Sequence, residues 1–203
     1  MENKKKIYKI VIIGDTYTGK STLIRNYLNY DIKNISPTIG LEFYSITKNI
    51  EGNIIKYNFY DTSGNISYYN ICKNYLKNYD ALIIIFDISK KNAIENLYNL
   101  KKMIFENNKN FIFFPMLLIG NNIKNIKNIN DEIIKDFAQN NFMIYYEIDI
   151  IKCKNTLIDI IDIFLENIYN NNIINNNIIN NKINNNDKIN FIPKEKNSCC
   201  IIL

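Results

Sequence analysis

Ile7-Tyr8-Lys9-Ile10-Val11-Ile12-Ile13-Gly14-Asp15-Thr16-Tyr17-Thr18-Gly19-Lys20-Ser21 is the stretch on which the fold turns. An apolar run of strand length passes without a break into a segment that fits GxxxxGK[ST], and helix-period sequence from Lys20 to Asn29 follows. A loop placed between a buried strand and a helix in this way points its backbone N–H groups into one concavity. Together with the positive end of the helix, that concavity favours an anion. Gly14, Asp15, Thr16, Tyr17, Thr18, Gly19, Lys20, Ser21 and Thr22 are the expected phosphate-binding residues. Lys20 is expected to reach the β- and γ-phosphate oxygens, and the Ser21 hydroxyl to meet Mg²⁺. The alternative is a glycine-containing strand-to-helix turn that happens to carry Lys and Ser, and the position of the motif argues against it.

Outward from this loop, strand-length apolar runs alternate with helix-period segments. That is the pattern of a mostly parallel sheet covered on both faces. Ile7 to Ile13 reads as the first strand. Leu41 to Ile50 and Ile54 to Tyr60 flank the turn Glu51-Gly52-Asn53 and form a hairpin, which gives one antiparallel edge strand. Ala81 to Phe86, Phe113 to Ile119 and Met143 to Ile148 complete six strands. Helices are expected over about 65–79, 92–107, 131–141 and 156–169. In the last, Leu157, Ile160, Ile161, Phe164, Leu165 and Ile168 repeat at helical spacing and should face the sheet.

The expected architecture is therefore a single α/β P-loop domain over residues 1–169, followed by a low-complexity flexible tail over 170–203 that is rich in Asn, Ile and Lys. A length of 203 residues with 47% hydrophobic content suits one domain and a tail. The net charge of +5 is modest and its charges are interspersed, which argues against nucleic acid as a partner. With no His, and with Cys72 and Cys153 isolated, the common zinc sites and disulfide frameworks are not expected. The spacing suits a reducing cytosol. The N-terminal Met1-Glu2-Asn3-Lys4 carries neither a secretory pattern nor the Met-Gly start of myristoylation. Apolar runs such as Ala81 to Phe86 fall far short of the roughly 20 residues that span a bilayer.

Pro37-Thr38-Ile39-Gly40-Leu41-Glu42-Phe43 resembles the first switch of Rab-type small GTPases, and Tyr60-Asp61-Thr62-Ser63-Gly64-Asn65 resembles their second, usually Trp-Asp-Thr-Ala-Gly-Gln. The resemblance implies that Thr38 joins Ser21 on Mg²⁺, that Asp61 acts on the ion through water, and that the Gly64 N–H meets the γ-phosphate of GTP. Asn65 would then stand with Lys20 as the catalytic pair. Asn65 replaces the water-orienting Gln with an amide one methylene shorter, so hydrolysis is expected to be slow. Gly120-Asn121-Asn122-Ile123-Lys124 occupies the place of the guanine-reading Asn-Lys-x-Asp. Asn121 is retained, Asn122 replaces Lys, and Lys124 replaces the acceptor Asp with a group that has donors alone. Ile150-Ile151-Lys152 stands where the family usually has Ser-Ala-Lys, Asp149 is a substitute acceptor, and Ile32 or Tyr30 falls near the position of the base-stacking aromatic. Phe43, Tyr60 and Tyr75 lie near the family's effector-facing aromatic cluster and read equally well as core aromatics.

Cys200-Ile201-Ile202-Leu203 fits C-a-a-X with X = Leu, the geranylgeranyl form, and Cys199 offers a second lipid acceptor. The resemblance implies a monomeric switch in vesicle traffic that binds GTP/GDP. Such a switch would work on the cytosolic face of intracellular membranes, exchange with cytosol, and meet effector, exchange and escort proteins. The rival expectation is a prenylated pseudo-GTPase scaffold with relaxed or no guanine specificity. A small-molecule kinase ranks last, since its lid and substrate insertions have no room.

Overall fold

The computed structural model describes residues 6–68, 78–107, 114–180 and 200–202. Its first strand, β1 (Lys6–Ile13), leads through the glycine-bearing loop into α1 (Lys20–Tyr27). The hairpin β2 (Leu41–Ile50) and β3 (Asn53–Thr62) follows, then β4 (Ala81–Asp87), α2 (Ala93–Asn107), β5 (Met116–Asn121), α3 (Asp131–Asn140), β6 (Met143–Ile148), α4 (Lys154–Asn180) and the short β7 (Cys200–Ile202). The sheet order is β2-β3-β1-β4-β5-β6-β7. β1 pairs in parallel with both β3 and β4, and β4, β5 and β6 continue in parallel. β2 lies antiparallel to β3, which makes it the expected antiparallel edge.

The core sits on both faces of this sheet because side chains alternate along each strand. Ile10 and Ile12 of β1 pack with Leu23 and Ile24 of α1 and with Leu157, Ile161, Phe164, Leu165 and Ile168 of α4. Val11 and Ile13, pointing the other way, pack with Leu97 and Ile104 of α2 and Ile134 and Phe137 of α3. The α4 stripe is thus core, as its spacing implies. Polar groups tie the first of these layers together: the Tyr57 hydroxyl donates to the Leu165 carbonyl at 2.9 Å, and the Tyr27 hydroxyl donates to Asp162 at 2.7 Å.

Four elements differ from the sequence reading. α4 continues past Tyr169 to Asn180, so the first part of the Asn-rich segment is helical. Neither Pro nor Gly occurs between 154 and 180, and propagating an existing helix is far easier than starting one. The 65–79 helix is represented in the described residues by a single 3-10 turn, Ile66–Tyr68, and Cys72 and Tyr75 lie outside them. β5 starts at Met116, after Pro115, because the ring fixes φ and removes a donor. A seventh strand, β7, pairs antiparallel with β6 through Ile148↔Cys200 and Tyr146↔Ile202. It adds to the six strands read from the sequence and sits at the edge opposite β2. Cys199 and most of the tail lie outside the described residues.

Candidate functional site

The loop between β1 and α1 is held in a fixed curve. Gly14 (φ 155°) and Gly19 (φ 103°) take positive φ, and so does Tyr17 (φ 61°). Asparagine and glycine usually fill such positions. Three side chains pin the loop from outside. Asn121 Nδ2 donates to the Thr18 carbonyl at 2.9 Å, Lys90 Nζ to the Thr16 carbonyl at 3.2 Å, and Asn96 Nδ2 to the Asp15 carboxylate. The Thr18 hydroxyl closes the loop on the Asp15 carbonyl at 2.9 Å. Lys20 is buried and its ammonium donates to the carbonyls of Gly14 (2.9 Å) and Asp15 (2.6 Å), which places a positive charge at the loop's centre. Gly19 is the N-cap of α1 and supplies no side-chain cap, and no acidic residue occupies the first turn. This is a helix N-terminus arranged for an anion.

Beside the loop, three oxygen donors from distant segments converge. Ser21 Oγ donates to Asp61 Oδ2 at 2.6 Å, Thr38 Oγ1 donates to the same oxygen at 3.3 Å, and the two hydroxyls are 3.0 Å apart. Asp61 Oδ1 is buried with no hydrogen-bond partner among the described residues. Two hydroxyls and one carboxylate make a hard oxygen set of the kind Mg²⁺ takes when phosphate oxygens complete its shell, so the residues fit that ion. Nowhere among the described residues do three His, Cys, Asp or Glu side chains gather as a rival cluster.

Burial pushes the Asp61 carboxyl up to about 6, against the pull of the Ser21 and Thr38 hydrogen bonds and the nearby Lys20. A carboxyl whose folded pKa exceeds its unfolded value stabilises the protein below the unfolded pKa and loses that contribution as pH rises through the folded one. Metal-free protein is therefore expected to lose on the order of 2–3 kcal/mol between about pH 4 and pH 6. Asp61→Asn should remove that slope, and Mg²⁺ should recover stability at pH 7. Urea unfolding at several pH values checks this, and equal slopes in wild type and Asp61→Asn would disprove it.

Loop, oxygen cluster and switch segments enclose one cavity of about 400 Å³, lined by Lys20, Ser21, Thr22, Thr38, Gly64 and Asn65 among others. That volume suits a small ligand. Gly64 lies directly against the loop, where a Cβ would come within 2.4 Å of Thr16 N. Asn65 reaches the cavity, but its side-chain carbonyl accepts from Ser67 N at 2.9 Å and so caps the 3-10 turn.

The base-reading positions are arranged differently. Asn121 braces the loop, as above. Asn122 turns its amide to Glu147 at 3.1 Å, and Lys124 turns to Asp87 (3.2 Å) and Ser89 (3.1 Å). Burial would raise the Asp87 carboxyl, but Ser89 and Lys124 outweigh it and hold the carboxyl below its ordinary value. Asp149 is not a ready acceptor either, because its carboxylate takes the N–H groups of Ile151 and Lys152, each at 3.0 Å. Tyr30 packs its ring on Tyr44, with centroids 6.1 Å apart, while Ile32 is half-buried. Phe43 and Tyr60 meet edge to face at 5.4 Å, with Phe43 exposed. The clamps Lys90 and Asn96 and the captor pair Asp87 and Ser89 escaped sequence reasoning. The local signal that could have found the latter is the Asp87-Ile88-Ser89 sequence at the end of a core strand.

A family model described as the Ras family matches residues 9–170. The chain is 30% identical over 151 residues to the Ras-related protein Rab-11B of Dictyostelium discoideum, covering 72% of this chain and 67% of that one. It is 32% identical over 148 residues to a probable Rab-related GTPase of Acanthamoeba polyphaga mimivirus, covering 70% and 66%. To the Ras-related protein Rab-7B of Dictyostelium discoideum it is 28% identical over 125 residues, 61% of each chain. The matched part thus spans about two thirds or less of these relatives' length.

Proposed function

The chain belongs to the Ras family as a Rab-type small GTPase, and on that premise we propose that it is a slow, membrane-tethered nucleotide switch with weakened guanine preference. The observation that carries this reading is the meeting of Lys20, Ser21 and Thr38 at one cavity beside a clamped phosphate loop, with the buried Asp61 carboxylate held by both hydroxyls. Phosphates are gripped by the loop N–H groups and by Lys20, which exchanges its carbonyl partners for phosphate oxygens. Ser21, Thr38 and Asp61 would hold Mg²⁺, whose charge would offset that of the phosphates. Gly64 meets the γ-phosphate, so the presence of that group sets the conformation of both switch segments.

Slow turnover is supported by Asn65, whose amide is short and engaged with Ser67 N. Orienting a water requires that bond to break. Weakened base preference is supported by the engagement of Asn122 with Glu147 and of Lys124 with Asp87. With the acceptor for guanine gone, no buried group is left unpaired by a wrong base. Two lipids on Cys199 and Cys200 form the anchor, because one chain binds membranes marginally and two bind stably. Vesicle traffic, with effector, exchange and escort partners and no nucleic acid, is the role we assign to a monomer on the cytosolic face of intracellular membranes. The pseudo-GTPase scaffold remains the second reading, favoured by the capture of Lys124 by Asp87 and Ser89.

Competition binding with GTP, ATP and XTP is the deciding experiment, with phosphate release and membrane fractionation run on the same preparations. GTP and ATP should bind within about tenfold of each other, Asn65→Gln should speed hydrolysis, and Ser at both terminal cysteines should release the protein to the cytosol. Strong GTP preference, no greater in Asn122→Lys/Lys124→Asp, refutes relaxed base reading. Failure to bind any triphosphate supports the scaffold.

A further inference from the structure

Among the described residues, Tyr17 combines two properties that the fold does not explain. It adopts a left-handed backbone at φ 61°, which disfavours any side chain beyond Gly, Asn or Asp, and its side chain is left 81% exposed. The other non-glycine residues of positive φ have local uses. Asn29 and Phe142 follow helix ends, Glu51 starts the hairpin turn, and Asn125 closes a turn on the Asn122 carbonyl. The clamped phosphate loop demands a left-handed residue at position 17 but not a tyrosine. No ring contact or side-chain hydrogen bond to Tyr17 is found among the described residues, so the fold gains nothing visible from the aromatic.

The ring's position gives it a different use. Tyr17 lines the same cavity as Lys20 and Ile123, so its exposed side chain shares that space with the phosphate-binding charge and with one residue of the Asn121 to Lys124 loop. The groups that would grip a base are occupied elsewhere: Asn122 by Glu147, Lys124 by Asp87 and Ser89, Tyr30 by Tyr44. A ligand held by its phosphates would carry its sugar and base past Tyr17. An aromatic face offers stacking, which is tolerant of base identity because every base has a π-face.

We infer that Tyr17 is a nucleotide-contacting residue whose ring covers the nucleoside half of the ligand and supplies base-independent affinity. This rests on the nucleotide-binding reading above and deepens it: the substrate class is a nucleoside triphosphate of any base, gripped by stacking in place of edge reading. Because the ring acts on the nucleoside and not on the phosphates, inorganic tripolyphosphate separates the two contributions.

The test measures dissociation constants for GTP, ATP and tripolyphosphate, with Mg²⁺, on the full chain and on Tyr17→Gly, Tyr17→Phe and Lys20→Ala. Tyr17→Gly should weaken GTP and ATP alike by roughly tenfold and leave tripolyphosphate within about twofold, while Tyr17→Phe behaves as wild type. Glycine suits the left-handed position, so the urea midpoint of Tyr17→Gly should be no lower than that of wild type, which excludes unfolding as the cause. The inference is overturned if nucleotide affinity is unchanged in Tyr17→Gly, or if tripolyphosphate affinity falls in step with it. Should wild type bind none of the three ligands, the nucleotide reading falls and takes this inference with it. Should Lys20→Ala abolish binding while Tyr17→Gly leaves it intact, the inference alone fails.

Discussion

Lys20→Ala is expected to lower triphosphate affinity by on the order of a hundredfold or more, so that the purified protein retains no nucleotide. The lysine ammonium is a buried positive charge of the loop, and the carbonyls of Gly14 and Asp15 to which it donates belong to the loop itself. A phosphate arriving there replaces two neutral acceptors with charged ones, and charge-assisted hydrogen bonds are roughly twice as strong. Ser21→Asn should act more narrowly. It disrupts the contact of Ser21 with Asp61 and Thr38, so triphosphate binding should weaken when Mg²⁺ is present and change little when Mg²⁺ is removed. Titration with a fluorescent triphosphate, with and without chelator, reads both effects. Unchanged affinity in both variants would remove the phosphate-site assignment altogether.

The second large effect is on stability. Gly14→Ala should cost roughly 3 kcal/mol or more, because the added Cβ would lie 2.1 Å from the carbonyl oxygen of Ile85, a backbone atom in the centre of the sheet. Its φ of 155° adds strain. Neither the loop nor β4 can retreat without breaking the parallel pairing of Ile13 with Ile84. Gly52→Ala provides the comparison. Gly52 also has positive φ, at 80°, but nothing lies within 4 Å of its Cβ position, so its cost should stay near 1 kcal/mol. Urea midpoints decide the matter, and equal losses at the two sites would show that backbone conformation, not collision, dominates.

Much of this molecule is legible in its sequence, and the reason is periodicity. The apolar runs that became β1, β4 and β6 are long enough to need burial on both faces, and the hairpin turn at Glu51-Gly52 fixes the antiparallel edge. The phosphate loop is legible because its spacing is itself the mechanism. What escaped are contacts made across the top of the sheet. Nothing in the spacing of Lys124 announces that Asp87, on a neighbouring strand, will hold it at 3.2 Å. Likewise Asn96 meets Asp15 because α2 passes beside the loop, a product of strand order. The helical continuation to Asn180 was hidden by composition: an Asn-rich stretch reads as loop, although an established helix tolerates asparagine for a few tenths of a kcal/mol per residue.

Strand order also has a consequence in time. β1 lies between β3 and β4, with Lys6 against Ile55 and Ile10 against Ala81, and both pairings are parallel. Parallel neighbours cannot be joined by a tight turn, so each pairing must close a long loop before any contact rewards it. β1 is synthesised before both of its neighbours: β3 is complete at Thr62, and β4 only when the segment through Asp87 has been made. Until that point the strand has at most one of its two neighbours, and a nascent chain carries the phosphate motif without the full scaffold that curves it. Such topologies fold slowly for their size. Ligand capture is then a late event that selects completed chains, and a bound ligand would shift the population toward them by mass action.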